Sequence, residues 1–288
     1  MGAADYPHLF VTPDWLAGHL GGERGKIVDG SWHMPAAGRN ARSEYDAKHI
    51  PGAVFFDIDA IADTSSGLPH MLPAPEDFAT ATGALGLRED DAIIVYDTLG
   101  LFSAARVWWS LSVMGATNVR ILAGGLPAWE AAGLPVAAAE ETPAPAVFTP
   151  VFNKRRVVDF DDVCHEIRHG TAQILDARPH GRFEGRDPEP RAGLKSGHMP
   201  GAACLPASEL IEDGALIAPD RLGLMLAAAG VTPERPVITS CGSGVTAAII
   251  SLALEAIGHD DTALYDGSWT DWASRADAAI VTDQGSHH

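Results

Sequence analysis

Short apolar runs and longer stretches of helical spacing alternate along the whole chain. In the second half, residues 172–178 (AQILDAR) and 236–240 (PVITS) are apolar runs bounded by polar or turn residues, as expected of strands buried on both faces. Residues 201–206 (GAACLP) predict a third strand and 262–267 (TALYDG) a fourth. From Val245 the period changes. Val245, Ala248, Ile249, Leu252 and Ala256 recur at three- and four-residue intervals, predicting a helix that Gly258 stops. Strands alternating with helices imply an α/β fold with a mainly parallel sheet flanked by helices. Ligands of such sheets bind beyond the carboxyl ends of the strands.

The pattern repeats at half the chain length. KIVDGSWH from Lys26 is echoed by QILDARPH from Gln173, and HIPGAVFFDID from His49 by HMPGAACLPAS from His198. AIIVYDTLGLFSAARV from Ala92 is echoed by PVITSCGSGVTAAII from Pro236, and LAGGLPAW from Leu122 by LYDGSWTDW from Leu264. Four matches in one order argue for two copies of one domain, over 1–136 and 157–284. Residues 137–156, rich in Ala, Pro and Thr, read as an extended linker. The closing GSHH (285–288) reads as a tag remnant.

The 288 residues carry a net charge of −18, which argues against nucleic acid or an anionic membrane as partner. An anionic substrate would need a local basic pocket. No apolar run reaches the ~18–20 residues of a membrane span, and MGAADYPHLF lacks the basic-then-apolar order of a secretory signal. Three cysteines with no CxxC suit a reducing, cytoplasmic setting. No segment has metal-ligand spacing, and neither metal nor organic cofactor is expected.

Cys241 stands where the strand VITS meets a helix, in the loop CGSG. Unpaired N–H groups and the positive end of the helix dipole converge at such a place, and a thiolate is the species they favour. Gly242 and Gly244 let the backbone curl around sulfur, while Ser243 and Thr246 add hydroxyls. The first copy has DTLGLF, with Asp97 at the cysteine position, so the fold does not require the cysteine and the first copy is expected to be catalytically silent. Cys164 and Cys204 are expected to be structural. The loop GRFEGRDPEPRAG follows the strand QILDAR and therefore shares the sheet edge of Cys241. Its composition fits two readings: a solvated loop with arginines paired to Glu184, Asp187 and Glu189, or an arginine clamp for a carboxylate.

The blocks HIPGAVFFDID, HMLP, SAARVWW, GRFEGRDPEPR, SGHMPGA, CGSGVTA and YDGSWTDW, in this order, resemble the tandem rhodanese-domain sulfurtransferases over nearly the whole chain. Within them, CGSGVT is similar to the loop of members whose sulfur donor is 3-mercaptopyruvate. The resemblance implies two tandem rhodanese-like domains and a Cys241 persulfide formed as pyruvate departs. It implies a thiophilic acceptor (cyanide, a thiol or thioredoxin) and substrate contacts from Gly242, Gly244, Val245 and Thr246. It implies that Arg182 and Arg191 bind the donor's carboxylate and carbonyl, with Arg186 on the surface. It further implies a relay of Ser243, His70 and Asp59, the last two supplied by the first domain to the active-site cleft; Phe102 fits two readings, a wall of that cleft or a core aromatic. Trp108 and Trp109 are expected in the core or an interface, and a monomer is the expected state. Three rivals stand beside this. A thiosulfate sulfurtransferase resembles CRKGVT at the loop, whereas Gly242 and Ser243 replace that basic pair here. A rhodanese-like phosphatase needs an arginine six positions after the cysteine, where Ala247 stands. A rhodanese-like module that only binds would lack the cysteine.

Overall fold

The computed structural model describes residues 5–21, 25–138 and 143–283. Residues 139–142 of the expected linker and the proposed tag remnant lie outside the described residues. The chain forms two compact units. The first comprises the described residues up to Asp63, Leu72–Asn153 and Ile211–Ala218; the second comprises Thr64–Met71, Lys154–Leu210 and the described chain from Pro219 on.

Five parallel strands make the sheet of the first unit: β1 (Phe10–Val11), β2 (Gly25–Asp29), β3 (Ala53–Phe55), β4 (Ala92–Tyr96) and β5 (Val119–Leu122), in the order β1-β5-β4-β2-β3. The second unit repeats the plan with β6 (Val157–Val158), β7 (Gln173–Asp176), β8 (Ala203–Cys204), β11 (Val237–Ser240) and β12 (Thr262–Tyr265), all parallel, in the order β6-β12-β11-β7-β8. The four strands expected in this half are all present. A small antiparallel hairpin, β9 (Ile211–Glu212) and β10 (Ala215–Leu216), belongs to the first unit, where Gly214 O accepts from Gly124 N at 2.9 Å.

Apolar strands buried on both faces carry the two cores. Ile27, Ile94, Tyr96 and Trp129 lie in one, Ile174, Ile238, Tyr265 and Trp272 in the other. The repeated tryptophans tie down corresponding segments: Trp129 Nε1 donates to Pro135 O at 2.7 Å and Trp272 Nε1 to Ala279 O at 2.9 Å. Trp108 and Trp109 are core residues, each 1% exposed. The helix expected from Val245 begins two residues later, at Ala247, because Val245 and Thr246 complete the turn of the loop. Its first eight residues are all buried, and Gly258, at φ 75°, follows its end as expected. The segment from Pro143 to Asn153 is extended and anchored. Ala146 N donates to Gly83 O, Val151 N to Met114 O and Asn153 N to Val113 O, and Phe148 packs edge-on to Phe78 at 5.7 Å.

The two copies differ at the end of the strand preceding the functional edge. In the second unit Asp176 is paired with Arg178; in the first, the corresponding Asp29 is followed two residues later by Ser31. Asp29 Oδ1 accepts from Ser31 N at 2.9 Å, whereas Oδ2 is buried with no hydrogen-bond partner among the described residues. Burial, the largest cause, raises its pKa from 3.8 to about 6, against the hydrogen bonds of Ser31. The folded state thus holds this proton more tightly than the unfolded chain. Its stabilising contribution is full below about pH 4 and is lost as pH rises through about 6. Asp29→Asn is therefore expected to be more stable than wild type by about 2 kcal/mol at pH 8, with no advantage at pH 4. Urea unfolding at both pH values would reveal it. A destabilised variant at pH 8 would show that the charge of Asp29 is compensated.

Candidate active site

β11 runs into the loop 241–246 and then the helix Ala247–Ala256, so the loop sits at the carboxyl edge of the second sheet. The helix Ser268–Ser274 fastens its outer side. Trp269 N donates to Cys241 O at 2.9 Å, and Gly242 O accepts from Thr270 N at 3.0 Å and Thr270 Oγ1 at 2.6 Å. Cys241 N donates to Ser268 Oγ at 3.2 Å, and Ser268 Oγ donates to Tyr265 O. These bonds draw the first two carbonyls away from the loop's interior. Gly244 has φ 79°, a left-handed conformation that a side chain would strain. Cys241 is 2% exposed, Ser243 and Val245 are buried, and Thr246 is half-buried at the foot of the helix.

The other copy shows what such a turn holds. The Asp97 carboxylate accepts from Leu99 N (2.8 Å), Phe102 N (2.7 Å) and Ala104 N (2.9 Å) and is buried. Three backbone donors of a strand–loop–helix turn converge on one anion, at the position that sulfur occupies in the second copy. The two remaining thiols have a different setting. Burial first, then the charge of Asp176, pushes the Cys204 thiol up to about 12, and burial raises that of Cys164.

His70 comes from the N-terminal half of the sequence but belongs to the second unit. Its Nδ1 lies 3.0 Å from Ser243 Oγ and 3.3 Å from Ser243 O. A carbonyl oxygen only accepts, so an Nδ1 bonded to both carries the proton; Oγ then accepts, and its own hydrogen is available to another acceptor. His70 is 5% exposed and has φ 62°, one of three non-glycine residues of positive φ among the described residues. A histidine held in this region marks a constrained position.

The arginines of GRFEGRDPEPR reach the same loop. A Cβ on Gly242 would lie 3.2 Å from Arg182 Nη2 and 3.8 Å from Arg191 Nη1. Two guanidinium groups thus flank the residue next to Cys241. Arg186 is different: it pairs with Glu184, its side chain 56% exposed. The geometry offers a buried sulfur at the carboxyl edge of the sheet, a hydroxyl–imidazole pair and two guanidinium groups.

The Rhodanese-like domain model matches residues 12–132 and 160–275. The chain belongs to the rhodanese family.

Among its relatives, the 3-mercaptopyruvate sulfurtransferase of Escherichia coli (strain K12) is 44% identical over 272 residues, 94% of this chain and 97% of that protein. The mitochondrial thiosulfate/3-mercaptopyruvate sulfurtransferase 1 of Arabidopsis thaliana is 40% identical, over 96% of this chain and 79% of that protein. The crystal structure of SseA from Escherichia coli, a 3-mercaptopyruvate sulfotransferase, is similar with a TM-score of 0.84 and 43% identity, covering 90% of this chain and 98% of that one. The expected fold, two tandem rhodanese domains with parallel sheets, is the one observed.

Other residues of this rhodanese singled out in the sequence lie in the first unit. Asp59 Oδ2 accepts from Trp32 Nε1 at 3.1 Å, and Phe102 stacks on Trp32 with centroids 6.3 Å apart. Sequence reasoning missed the groups behind the arginines. Arg178, 1% exposed, donates to both oxygens of Asp176, to Gly197 O and to Glu189, and lies over the Trp269 ring at 4.0 Å. Burial works against its charge, but Asp176 and Glu189 outweigh it and raise its pKa. The signal was present in the repeat: LDAR has an arginine where VDGS has none. Among the described residues, no cluster of three or more His, Cys, Asp or Glu could hold a metal, and no helix is long and apolar enough to cross a membrane.

Proposed function

We propose that this rhodanese moves the sulfane sulfur of 3-mercaptopyruvate to a thiophilic acceptor through a persulfide on Cys241. The Cys241 thiolate attacks the donor's sulfur, and the S–S bond forms as the C–S bond breaks. The bonding pair leaves with pyruvate as its enolate, which takes up a proton. Backbone donors of the loop hold the charge on sulfur as Asp97's donors hold a carboxylate in the other copy. Ser243 Oγ–H, released by the Nδ1–H of His70, is suited to donate to the enolate oxygen. An acceptor thiolate then attacks the outer sulfur and restores Cys241.

The observation that carries the choice of donor is the approach of Arg182 and Arg191 to Gly242. A monocarboxylate beside a carbonyl suits two guanidinium forks, and a loop without its own cations suits a donor whose charge lies away from its sulfur. Gly242, Gly244, Val245 and Thr246 form the wall of that site, Ser243 and His70 act together in it, and the first copy, with Asp97, is silent. Cyanide, small thiols and a thioredoxin-type dithiol are the acceptors, a monomer is the working form, and the cytoplasm, which keeps three unpaired cysteines reduced, is the location. Thiosulfate is a secondary donor; the Arabidopsis relative is named for both. The test is a comparison of kcat/KM for the two donors with one thiol acceptor. Mercaptopyruvate is expected to give the higher value. Parity or a preference for thiosulfate rejects the assignment, and no sulfur release from either leaves only a binding module.

A further inference from the structure

Behind the arginine clamp lies a closed ring of contacts within the second unit. Glu189 has only 2% of its side chain exposed, yet it is an acid on a loop of exposed neighbours. Its carboxylate accepts from Arg182 through Nε (3.1 Å to Oε2) and Nη2, and from Arg178 Nη1 at 2.8 Å. Arg178 is locked in turn by both oxygens of Asp176 and by the Trp269 ring, and Trp269 N donates to Cys241 O. From Cys241 the ring therefore runs through Trp269, Arg178, Glu189 and Arg182 back to Gly242.

A fork held on its Nε–Nη2 edge by a carboxylate loses rotational freedom, so a ligand meets a guanidinium already turned towards the loop. Asp176, Arg178, Glu189 and Arg182 also sum to zero charge. Arg182 then presents hydrogen-bond donors without adding net charge to the site. That balance suits a monoanion; an unbalanced extra cation would favour a dianion.

We propose that Glu189, anchored by Arg178, is a positioning and donor-selecting residue: it orients Arg182 over Gly242 and neutralises it, biasing the site towards the monoanionic donor. This rests on the reading of Arg182 as a carboxylate ligand. A buried acid kept only for stability would, when altered, lower activity with both donors in parallel.

The experiment is Glu189→Gln, assayed on the full chain with mercaptopyruvate and thiosulfate, alongside Arg182→Ala. The Gln variant is expected to shift the ratio of kcat/KM values about tenfold towards thiosulfate, with KM for mercaptopyruvate raised. Glu189→Asp, which keeps the charge but shortens the reach, is expected to raise KM for mercaptopyruvate several-fold while kcat/KM for thiosulfate stays within about twofold of wild type. If Arg182→Ala raises that KM but Glu189→Gln leaves the ratio unmoved, the inference alone is overturned. If Arg182→Ala leaves the KM unchanged, the clamp reading goes and takes the inference with it. Should circular dichroism show the Gln variant unfolded, the Asp variant decides, and an unchanged KM there overturns the proposal.

Discussion

Cys241→Ser is expected to lower sulfur transfer from mercaptopyruvate by at least about 10⁴-fold, the scale on which removal of a covalent nucleophile acts. The substitution keeps the shape of a residue that is 2% exposed, so the turn and its bonds to Ser268, Trp269 and Thr270 should survive. What is lost is the sulfur. A hydroxyl at this position stays protonated and does not form an S–S bond. Incubation with donor but no acceptor should add one sulfur atom to the intact mass of the wild-type chain and none to the variant. Cys164→Ser and Cys204→Ser provide the contrast. Burial holds both thiols up, Cys204 to about 12, so neither competes as a thiolate near neutral pH. Each should retain activity within about threefold. Activity that survives Cys241→Ser, or that disappears with Cys204→Ser, would remove the persulfide route through Cys241.

The parts of this site that could be read from the sequence are those fixed by local pattern. Apolar runs in each half, repeated in order, carry enough periodicity to fix two parallel sheets. A glycine-flanked cysteine between VITS and an apolar helix lies on the functional edge by topology alone. The two-residue error at the helix start has a local cause: Val245 fits the apolar period, but the turn around Cys241 needs residues up to Thr246 to close. What escaped was set by long-range pairing. Glu189 sits among Arg186, Asp187 and Arg191 in a string of charges that looks solvated, and only the fold shows Arg178 beneath it. His70 was reached through the resemblance, not through its own surroundings. It lies 173 residues from Ser243, and nothing in PHMLP announces a left-handed histidine against another segment's hydroxyl. The same dependence on distant or non-repeated partners separates Asp29 from Asp176. Both strands end in an aspartate, but one is followed two residues later by Ser31 and the other by Arg178, so only Asp176 gains a buried ion pair.

Arg182→Ala is expected to raise KM for mercaptopyruvate by about 30-fold or more, the cost of deleting one side of a charge-assisted carboxylate contact. Nη2 of Arg182 occupies the space next to Gly242 that a Cβ would contest at 3.2 Å, so its outer edge faces the residue adjoining Cys241. Truncation also leaves Glu189 to Arg178 at 2.8 Å, turning a balanced set of four charges into one with a net negative charge beside an anion site. Both effects fall on donor binding. The second half-reaction, in which a thiol or cyanide removes sulfur from a preformed persulfide, needs no carboxylate clamp and should keep its rate within about threefold. Arg182→Lys should behave much more like Ala than like wild type, because an ammonium cannot hold Glu189 along one edge while offering a second edge to the donor. The decisive pair of measurements is therefore steady-state KM for mercaptopyruvate and single-turnover discharge of persulfide-loaded enzyme. A raised KM with an unchanged discharge rate places Arg182 on the donor. Equal losses in both would assign it to the loop's structure, and full activity in Arg182→Lys would reduce its role to bare charge.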